Sequence, residues 1–422
     1  MVIRDPVHGD IYLLPGEEEI LDSPPVQRLR GIKQNGTGYL VYPGCVHTRF
    51  DHSLGVLAAA QKLLDQVARH GHPVTPREAR IVRASALVHD ISHIPFGHTL
   101  EDEAGLFDRH DRRERLDVFL QDGPLAQVLA RQGLAEPVTA LLTGREHPEV
   151  APWMRAIITS TVDADMLDYL KRDSYFAGLR QQYDERVYHY FHVVDGRLAL
   201  NLTRHGLLRA DARSEIMSLL RMRYFLTERV YLHHAKVAAG AMVARAVERA
   251  VLDGWREEDL YHLTDETLLL RLAVGSQPMA AALAQGVRRR RLLKRAYVLS
   301  PQGAGRGLRD HLVEQYSGRA GAPRRRQLEE ELAAAAGLPP GSVIIHCPQK
   351  SMFKEVGVLV ILPSGLQPLT GMQEPMASEV RALIHQYEDL WRFYVFAPTE
   401  AVEQVAGLCR EYFGLPSDYR PR

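Results

Sequence analysis

Hydrophobic and polar positions repeat mainly at helical spacing along this chain. The clearest helix follows Thr75, which can cap it, because Pro76 suits a first turn and Glu78 completes a capping box before the apolar residues from Ile81 onward. Proline disfavours helical geometry in the residue before it, so we expect this helix to end at Pro95.

Short β signals interrupt the helices. Ile11–Leu13 and Tyr39–Tyr42 are predicted strands, and Tyr188–Leu202 is a predicted hairpin in which Asp195–Gly196 suits a type I′ turn. Helical spacing resumes from Ser214 to about Leu252.

Strand patterns return towards the C-terminus. The predicted strands are Ser342–Pro348, Val356–Gly365 and Trp391–Pro398. A helix is expected from Thr399 to Phe413. The sequence therefore predicts a mainly α fold, with a helical domain over residues 1–310, short β-hairpins, and a small α+β lobe over residues 311–422.

Composition indicates a globular protein, since 45% of the residues are hydrophobic and 25% are charged. The 52 Lys and Arg residues balance 52 Asp and Glu residues, so the net charge favours neither nucleic acid nor an anionic membrane, although nucleic-acid binding stays possible. Cys45, Cys347 and Cys409 are widely spaced, as is typical of reduced thiols. Neither a signal peptide nor a bilayer-spanning stretch is apparent, and we expect a cytoplasmic protein.

Four polar residues fall within one short stretch that would otherwise be an apolar helix end: His89, Asp90, His93 and His98. On a helix, His89 and His93 would share a face, and Asp90 would lie about 100° round the axis. All three side chains could then bind one metal ion. The alternative is a metal-free cluster satisfied by hydrogen bonds.

A second polar pattern supports a site. Asp165, Tyr169 and Asp173 recur at steps of four, so they share one face of a predicted helix. The alternative is an exposed acidic face paired with Lys171 and Arg172.

Five motifs carry a resemblance to a known family: HTRFDHSLG (47–55), ALVHDISHIPFGH (86–98), DADMLDYLKRDSYFAG (163–178), DPVHGDIYL (5–13) and DSPPVQRLRGIKQNG (22–36). The chain resembles the HD-domain metal-dependent phosphohydrolases, and within them the deoxynucleoside triphosphate triphosphohydrolase branch. The resemblance covers about the first 240 residues well and a C-terminal region more loosely. It implies a helical HD-domain core.

The resemblance implies one divalent ion per site. Its ligands would be His52, His89, Asp90 and Asp165. Mixed imidazole and carboxylate donors suit Mn, Mg, Fe, Co, Ni or Zn, and we favour manganese or magnesium.

The resemblance also implies which groups move protons. These are His93, His98 and His110. We expect His98 to protonate the leaving group, because an imidazole can do so near neutral pH, and Glu101 to orient His98.

Substrate contacts follow from the same resemblance. Arg49 would bind phosphate, Gln34 and Asp173 the sugar 3′-hydroxyl, and the Tyr169 ring would exclude a 2′-hydroxyl. Further phosphate donors would come from Arg229 and from either His234 or Lys236. Asn35 and Met166 depart from the family pattern.

The sequence thus predicts a hydrolase that cleaves deoxynucleoside triphosphates by water attack on the α-phosphorus. The alternatives are an HD-domain nucleotidase acting on monophosphates or modified nucleotides, and a nucleotide- or nucleic-acid-sensing regulator with weak turnover. Two basic clusters, Arg288–Arg291 and Arg324–Arg326, are either solvated faces or phosphate-binding surfaces for a regulatory nucleotide. The resemblance also implies a homo-oligomer.

Overall fold

Helices dominate the computed structural model, which describes residues 1–275, 277–349, 357–369 and 376–419 and confirms the mainly α prediction. The first helices are α1 (Glu17–Leu21), α2 (Pro24–Arg28), α3 (Arg49–Arg69), α4 (Pro76–Val88), α5 (Arg113–Leu120), α6 (Pro124–Arg131), α7 (Ala135–Thr143), α8 (Pro152–Ile158) and α9 (Ala164–Phe176). The later helices are α10 (Ala210–Leu226), α11 (His234–Leu252), α12 (Asp265–Ala273), α13 (Pro278–Arg288), α14 (Pro301–Tyr316), α15 (Gly318–Ala335), α16 (Met376–Glu388) and α17 (Val402–Phe413).

In the described part of the chain, the buried hydrophobic residues form two clusters, and the larger one, called the larger core below, includes most of the helices up to α13. Three capped helices form its centre. Helix α3 packs against both α4 and α9. The side chains of Thr48, Thr75 and Asp163 accept backbone N–H groups at the starts of α3, α4 and α9, which confirms the predicted capping box of α4. Because these caps fix where each helix begins, they also fix where the polar residues of the first turns lie.

Helix α4 ends at Val88, so the prediction that it continues to Pro95 is wrong. The guanidinium of Arg28 donates hydrogen bonds to the carbonyl oxygens of Ile91 and His93, each at 2.9 Å. The backbone of this stretch is therefore held in turns by a side chain from another helix. As a consequence, His89 and His93 do not lie on one helix face.

The strands form small sheets. They are β1 (Val2–Asp5), β2 (Gly9–Tyr12), β3 (Phe191–Val194), β4 (Arg197–Asn201), β5 (Thr203–Arg204), β6 (Leu207–Leu208), β7 (Lys294–Leu299), β8 (Ile344–His346), β9 (Leu359–Leu362), β10 (Gly365–Pro368) and β11 (Phe393–Ala397).

The predicted hairpin is confirmed, because β3 pairs antiparallel with β4 and Asp195 and Gly196 between them have φ of 50° and 71°. The predicted strand Tyr39–Tyr42 is wrong. A 3₁₀ helix occupies Gly36–Leu40 instead, and its threonine, Thr37, donates to the carbonyl of Lys236 at 2.9 Å. Packing against α11 therefore overrides the local β preference of the tyrosines.

The C-terminal strands divide between two sheets. Strand β11 pairs with β7 and β8, whereas β9 pairs in parallel with β4 and extends the hairpin sheet of the larger core. The helix predicted from Thr399 to Phe413 is present as α17, which begins at Val402 after a short 3₁₀ turn, Thr399–Ala401. Val356, the first residue of one predicted strand, lies outside the described residues. The division of the chain at residue 310 stays a prediction.

Within the described ranges, none of the helices combines the length and the apolar character needed to cross a bilayer.

Candidate active site

Three of the predicted metal ligands, His52, His89 and Asp165, offer ligand atoms within 4.8 Å of one another. Asp90 lies beside them in the turn that follows α4 and groups more closely with His93 and His110. His52 lies in the first turn of α3, His89 caps the end of α4, and Asp165 lies in the first turn of α9. The Nε2 atom of His52 lies 2.9 Å from Asp165 Oδ1, 3.3 Å from His89 Nε2 and 3.9 Å from Asp90 Oδ2. Two ligands at right angles around one ion at about 2.1 Å are about 3 Å apart, so this spacing suits a single cation.

The imidazole nitrogens also fit a metal. His52 Nδ1 bonds to Asp168 Oδ2 at 2.7 Å, and His89 Nδ1 donates to the Ala86 carbonyl at 2.8 Å. Both Nε2 lone pairs then face each other across 3.3 Å, which is repulsive unless a proton or a cation lies between them. Burial lowers the pKa of His52, but hydrogen bonds to Asp165 and Asp168 raise it to about 10. The site therefore favours positive charge.

Sequence reasoning missed the carboxylate that supports this centre. Asp168 is fully buried on α9. Its carboxylate forms hydrogen bonds with the His52 ring, with the His8 ring at 2.7 Å, and with the guanidinium of Arg172 at 2.9 Å. Burial raises the pKa of Asp168, but Arg172 and the two histidines hold it well below its ordinary value. A carboxylate behind a ligating histidine fixes the tautomer and orientation of that ring.

The N-terminal hairpin closes this support. Asp5, at the end of β1, bonds to Arg172 at 2.9 Å, and His8 lies in the turn before β2. Gly55 on α3 is required here, because a Cβ atom in its place would lie 1.9 Å from Asp168 Oδ1. Asp5 and His8 both lie in the motif DPVHGD, and this motif was the sequence feature that could have pointed to their contacts with Arg172 and Asp168.

Arg49 lies in the site, as expected, but it bonds to a predicted metal ligand. Its Nη1 atom donates to Asp90 Oδ2 at 2.6 Å, and both side chains are buried. Burial raises the pKa of Asp90, but His89 and Arg49 hold it well below its ordinary value. Asp90 is therefore an ionised donor between the metal ligands and a cation.

The three predicted proton-transfer histidines form a cluster beside Asp90. The rings of His93 and His110 stack with centroids 3.6 Å apart, and His98 meets both edge-on at 5.0 and 5.5 Å. His93 Nε2 lies 3.3 Å from Asp90 Oδ1, which joins the cluster to the metal ligands.

The prediction that Glu101 orients His98 is wrong. His98 Nδ1 bonds to Asp102 at 2.9 Å, whereas Glu101 lies 3.3 Å from His110 Nδ1 and forms a close ion pair with Arg115. These carboxylates belong to a single π-helical turn, Thr99–Glu103, in which sequence spacing does not follow α-helical geometry.

Burial separates the roles of these histidines. Desolvation is the largest effect on His93, whose pKa lies well below its ordinary value, and it also lowers the pKa of His110. The side chain of His98 is 43% exposed, compared with 0% for His93. His98 is thus the most exposed of the three histidines.

A third group of residues lines the side of α9 beyond Asp165. Asp173 accepts from His47 Nε2 at 2.7 Å and from the Tyr231 hydroxyl at 2.5 Å. Gln34 bonds through its backbone N–H to the His47 carbonyl at 3.1 Å, and its side-chain Oε1 is buried without a partner among the described residues. The structure therefore brings Gln34 and Asp173 to the same histidine.

Tyr169 lies between Asp165 and Asp173, and sequence reasoning missed its neighbour Arg223. Burial raises the pKa of Tyr169, and Arg223 on α10 interacts with it electrostatically. Arg223 also interacts with Tyr387 of α16, so a C-terminal helix contributes to the surroundings of Tyr169. No sequence motif links these three segments.

The remaining predicted phosphate donors contact other side chains. The ammonium of Lys236 pairs with Glu103, the His234 ring stacks on His233 with centroids 4.4 Å apart, and Arg229 covers the Phe225 ring at 4.1 Å. Lys236 therefore has an acidic partner outside the four predicted metal ligands.

Comparisons with known proteins agree with this geometry. A family model described as HD domain matches residues 49–173, and one described as HD associated region matches residues 184–421. Uncharacterized protein MJ1154 of Methanocaldococcus jannaschii is 32% identical over 278 residues, which are 65% of this chain and 55% of that protein. The deoxynucleoside triphosphate triphosphohydrolase SAMHD1 homolog of Dictyostelium discoideum is 27% identical over 314 residues, 69% of this chain and 59% of that protein.

The chain thus spans between about half and three fifths of these two relatives. Among solved structures, a phosphohydrolase from Bacteroides thetaiotaomicron has a TM-score of 0.70 at 22% identity, covering 94% of this chain and 99% of that one. A hypothetical protein from Aquifex aeolicus has a TM-score of 0.70 at 19% identity, covering 96% and 99%. At such identities these two structures establish the fold.

Proposed function

Because the chain belongs to the HD-domain family of phosphohydrolases, we propose that it hydrolyses deoxynucleoside triphosphates to a deoxynucleoside and inorganic triphosphate. The observation that carries the proposal is the convergence of His52, His89, Asp90 and Asp165, beside a second cluster of three histidines. Relatives named as deoxynucleoside triphosphate triphosphohydrolases, at 26–27% identity, support this substrate class.

The metal centre would be held by those four side chains. A bound divalent cation would polarise the α-phosphate and lower the pKa of a water molecule. Asp168 bonds to Nδ1 of His52, which leaves Nε2 available as the atom that would bind the metal, and Arg49 holds Asp90. Manganese or magnesium is the cation we propose, because carboxylate-containing donor sets accept both.

His98 would protonate the departing 5′-oxygen. As the water oxygen bonds to the α-phosphorus, the bond from phosphorus to the 5′-oxygen breaks and the alkoxide needs a proton. Asp102 holds His98 Nδ1, which leaves Nε2 to donate that proton. The buried His93, with its lowered pKa, is neutral near pH 7 and positions the cluster instead.

The sugar would lie along α9. The unpartnered Gln34 Oε1 and the Asp173 carboxylate can accept from a 3′-hydroxyl, and the Tyr169 ring would leave no room for a solvated 2′-hydroxyl. A hydroxyl buried without a partner costs about 1–3 kcal/mol, which would favour deoxyribose. Arg223 would add a cation for the outer phosphates.

Product analysis tests the proposal. The purified chain is incubated with manganese and dGTP, and separately with GTP and dGMP, with Asp165→Ala as the matched inactive control. Deoxyguanosine and tripolyphosphate from dGTP are expected. If dGMP is the one substrate hydrolysed and orthophosphate is its product, the chain is a nucleotidase. Tight nucleotide binding with no turnover of any substrate would indicate a regulator.

A further inference from the structure

A cavity lies outside the metal centre, between α11, α15 and β8. It has a volume of about 290 Å³, near the lower limit of small-molecule sites. Its walls come from α11, from α15, from β8 and from the loop that follows the π turn Thr99–Glu103. None of the four metal ligands lines it.

Arginines dominate the polar wall of this cavity. Arg245 of α11 bonds to Glu329 at 2.6 Å and pairs closely with Glu248, to which Arg325 and Arg326 of α15 donate at 2.8 and 2.9 Å. Three guanidinium groups thus share two carboxylates, which leaves one positive charge in excess. His346 adds no charge near neutral pH, because burial lowers its pKa to about 4.

Two of these guanidinium groups are incompletely satisfied. Arg245 and Arg325 are 6% and 7% exposed, and the Nε atom of each is buried without a hydrogen-bond partner among the described residues. A buried N–H without a partner is costly, so native proteins rarely leave one unless a ligand or water completes it. Burial also lowers the pKa of both side chains, which a nearby anion would reverse.

Apolar residues also line the cavity, and they are Ala241, Ala244, Leu252 and Ala322. We propose that this cavity binds a small organic phosphate, with its phosphate group at Arg245 and Arg325 and its apolar body against these residues. Guanidinium groups converge here from two helices, so an anion between them would meet positive charge from more than one direction. That arrangement suits a tetrahedral group better than a planar carboxylate, which a single guanidinium can satisfy.

The consecutive arginines 324 to 326 provide matched variants for the test. Arg325 and Arg326 line the cavity, whereas the neighbouring Arg324 does not line it and bonds to the Tyr412 hydroxyl at 2.7 Å. Binding of phenylphosphonate, which has no hydrolysable phosphate ester, is measured by calorimetry on the full chain. Benzoate and phenol serve as the planar and neutral probes.

We expect Arg325→Gln to weaken phenylphosphonate binding about tenfold or more, and Arg326→Gln to weaken it less, with Arg324→Gln and Arg49→Gln unchanged. Because Arg325 is buried, thermal melting checks its folding, and the partly exposed Arg326 carries the test if Arg325→Gln does not fold. The proposal fails if the wild type does not bind at millimolar probe, if benzoate or phenol binds equally well, or if Arg49→Gln abolishes binding. These outcomes require no turnover, so they are independent of the proposed hydrolysis.

Discussion

Two histidines, one from each half of the candidate active site, are held in opposite ways. On the metal side, His52 is 1% exposed, both of its ring nitrogens face carboxylates, and the carboxylate beneath it is fully buried. On the proton-transfer side, His98 is 43% exposed and its partner Asp102 is 40% exposed. Ligands of an ion need fixed positions, whereas a group that delivers a proton must adjust to its substrate.

The largest effect should come from removing a ligand. Asp165→Ala takes away the carboxylate 2.9 Å from His52 Nε2, so we expect loss of bound metal and of all measurable turnover. Elemental analysis after manganese loading, together with a hydrolysis assay, measures both. Asp65→Ala, an exposed change on α3, is the control. Retained metal in Asp165→Ala would remove this residue from the ligand set.

His98→Ala tests the opposite half. The exposed imidazole should be dispensable for metal binding, but hydrolysis should slow by about 10²-fold or more, as is usual for an acid–base group. The same metal analysis and the rate at several pH values distinguish the two roles. His385→Ala, also exposed, provides the comparison. If His98→Ala lost its metal, the division between the halves would be wrong.

Asp168→Asn probes the buried support without touching a ligand. The amide keeps the shape of the side chain but gives up the charge that orients His52, so we expect manganese affinity to fall about 10–100-fold. Titration with manganese measures the change, and excess manganese should restore turnover. An unchanged affinity would mean that Asp168 serves the fold through its bonds to Arg172 and His8 and does not orient His52 for metal binding.

Glu101→Gln should reveal a pH-dependent contribution to stability. Burial raises the pKa of Glu101, but His110 and Arg115 lower it to about 2. A depressed folded-state pKa stabilises the fold above the unfolded value near 4.5, and this contribution is lost as the pH falls towards 2.

The variant leaves Arg115 buried without its carboxylate, so we expect a loss of about 3 kcal/mol in the free energy of unfolding at pH 7 and a smaller difference from wild type at pH 3. Urea unfolding at both pH values measures it. Glu19→Gln removes an exposed ion pair with Arg131 and should change little. An equal loss at both pH values would contradict the shifted pKa.

The smallest expected effect concerns sugar selection. Tyr169→Ala should admit ribonucleotides about tenfold better relative to deoxyribonucleotides, because the ring no longer opposes a 2′-hydroxyl. The ratio of kcat/KM for dGTP and GTP measures this. Tyr175→Ala, on the exposed part of the same helix, is the control. An unchanged ratio would exclude the Tyr169 ring from selectivity.

The sequence predicted those parts of the site that depend on short motifs. His52, His89, Asp90 and Asp165 were assigned by resemblance, and the structure brings them together. The start of α4 was predicted because capping chemistry is local. Sequence reasoning therefore located the centre and its first turns.

What the sequence did not predict depends on contacts between distant segments. Helix α4 ends early because Arg28 binds the carbonyls beyond it, and Asp168 supports His52 only because α3 and α9 pack at Gly55. Arg223 reaches Tyr169 from another helix. No local pattern encodes these contacts, so helical spacing alone placed His93 incorrectly.

The π turn that follows His98 carries three acidic side chains in succession. Glu101 faces His110 and Arg115, Asp102 faces His98, and Glu103 pairs with Lys236 at the edge of the arginine cavity. A widened turn spreads neighbouring side chains around its axis, and here it spreads them over two compartments. The position of this single turn therefore sets the surroundings of both imidazoles and of one edge of the cavity.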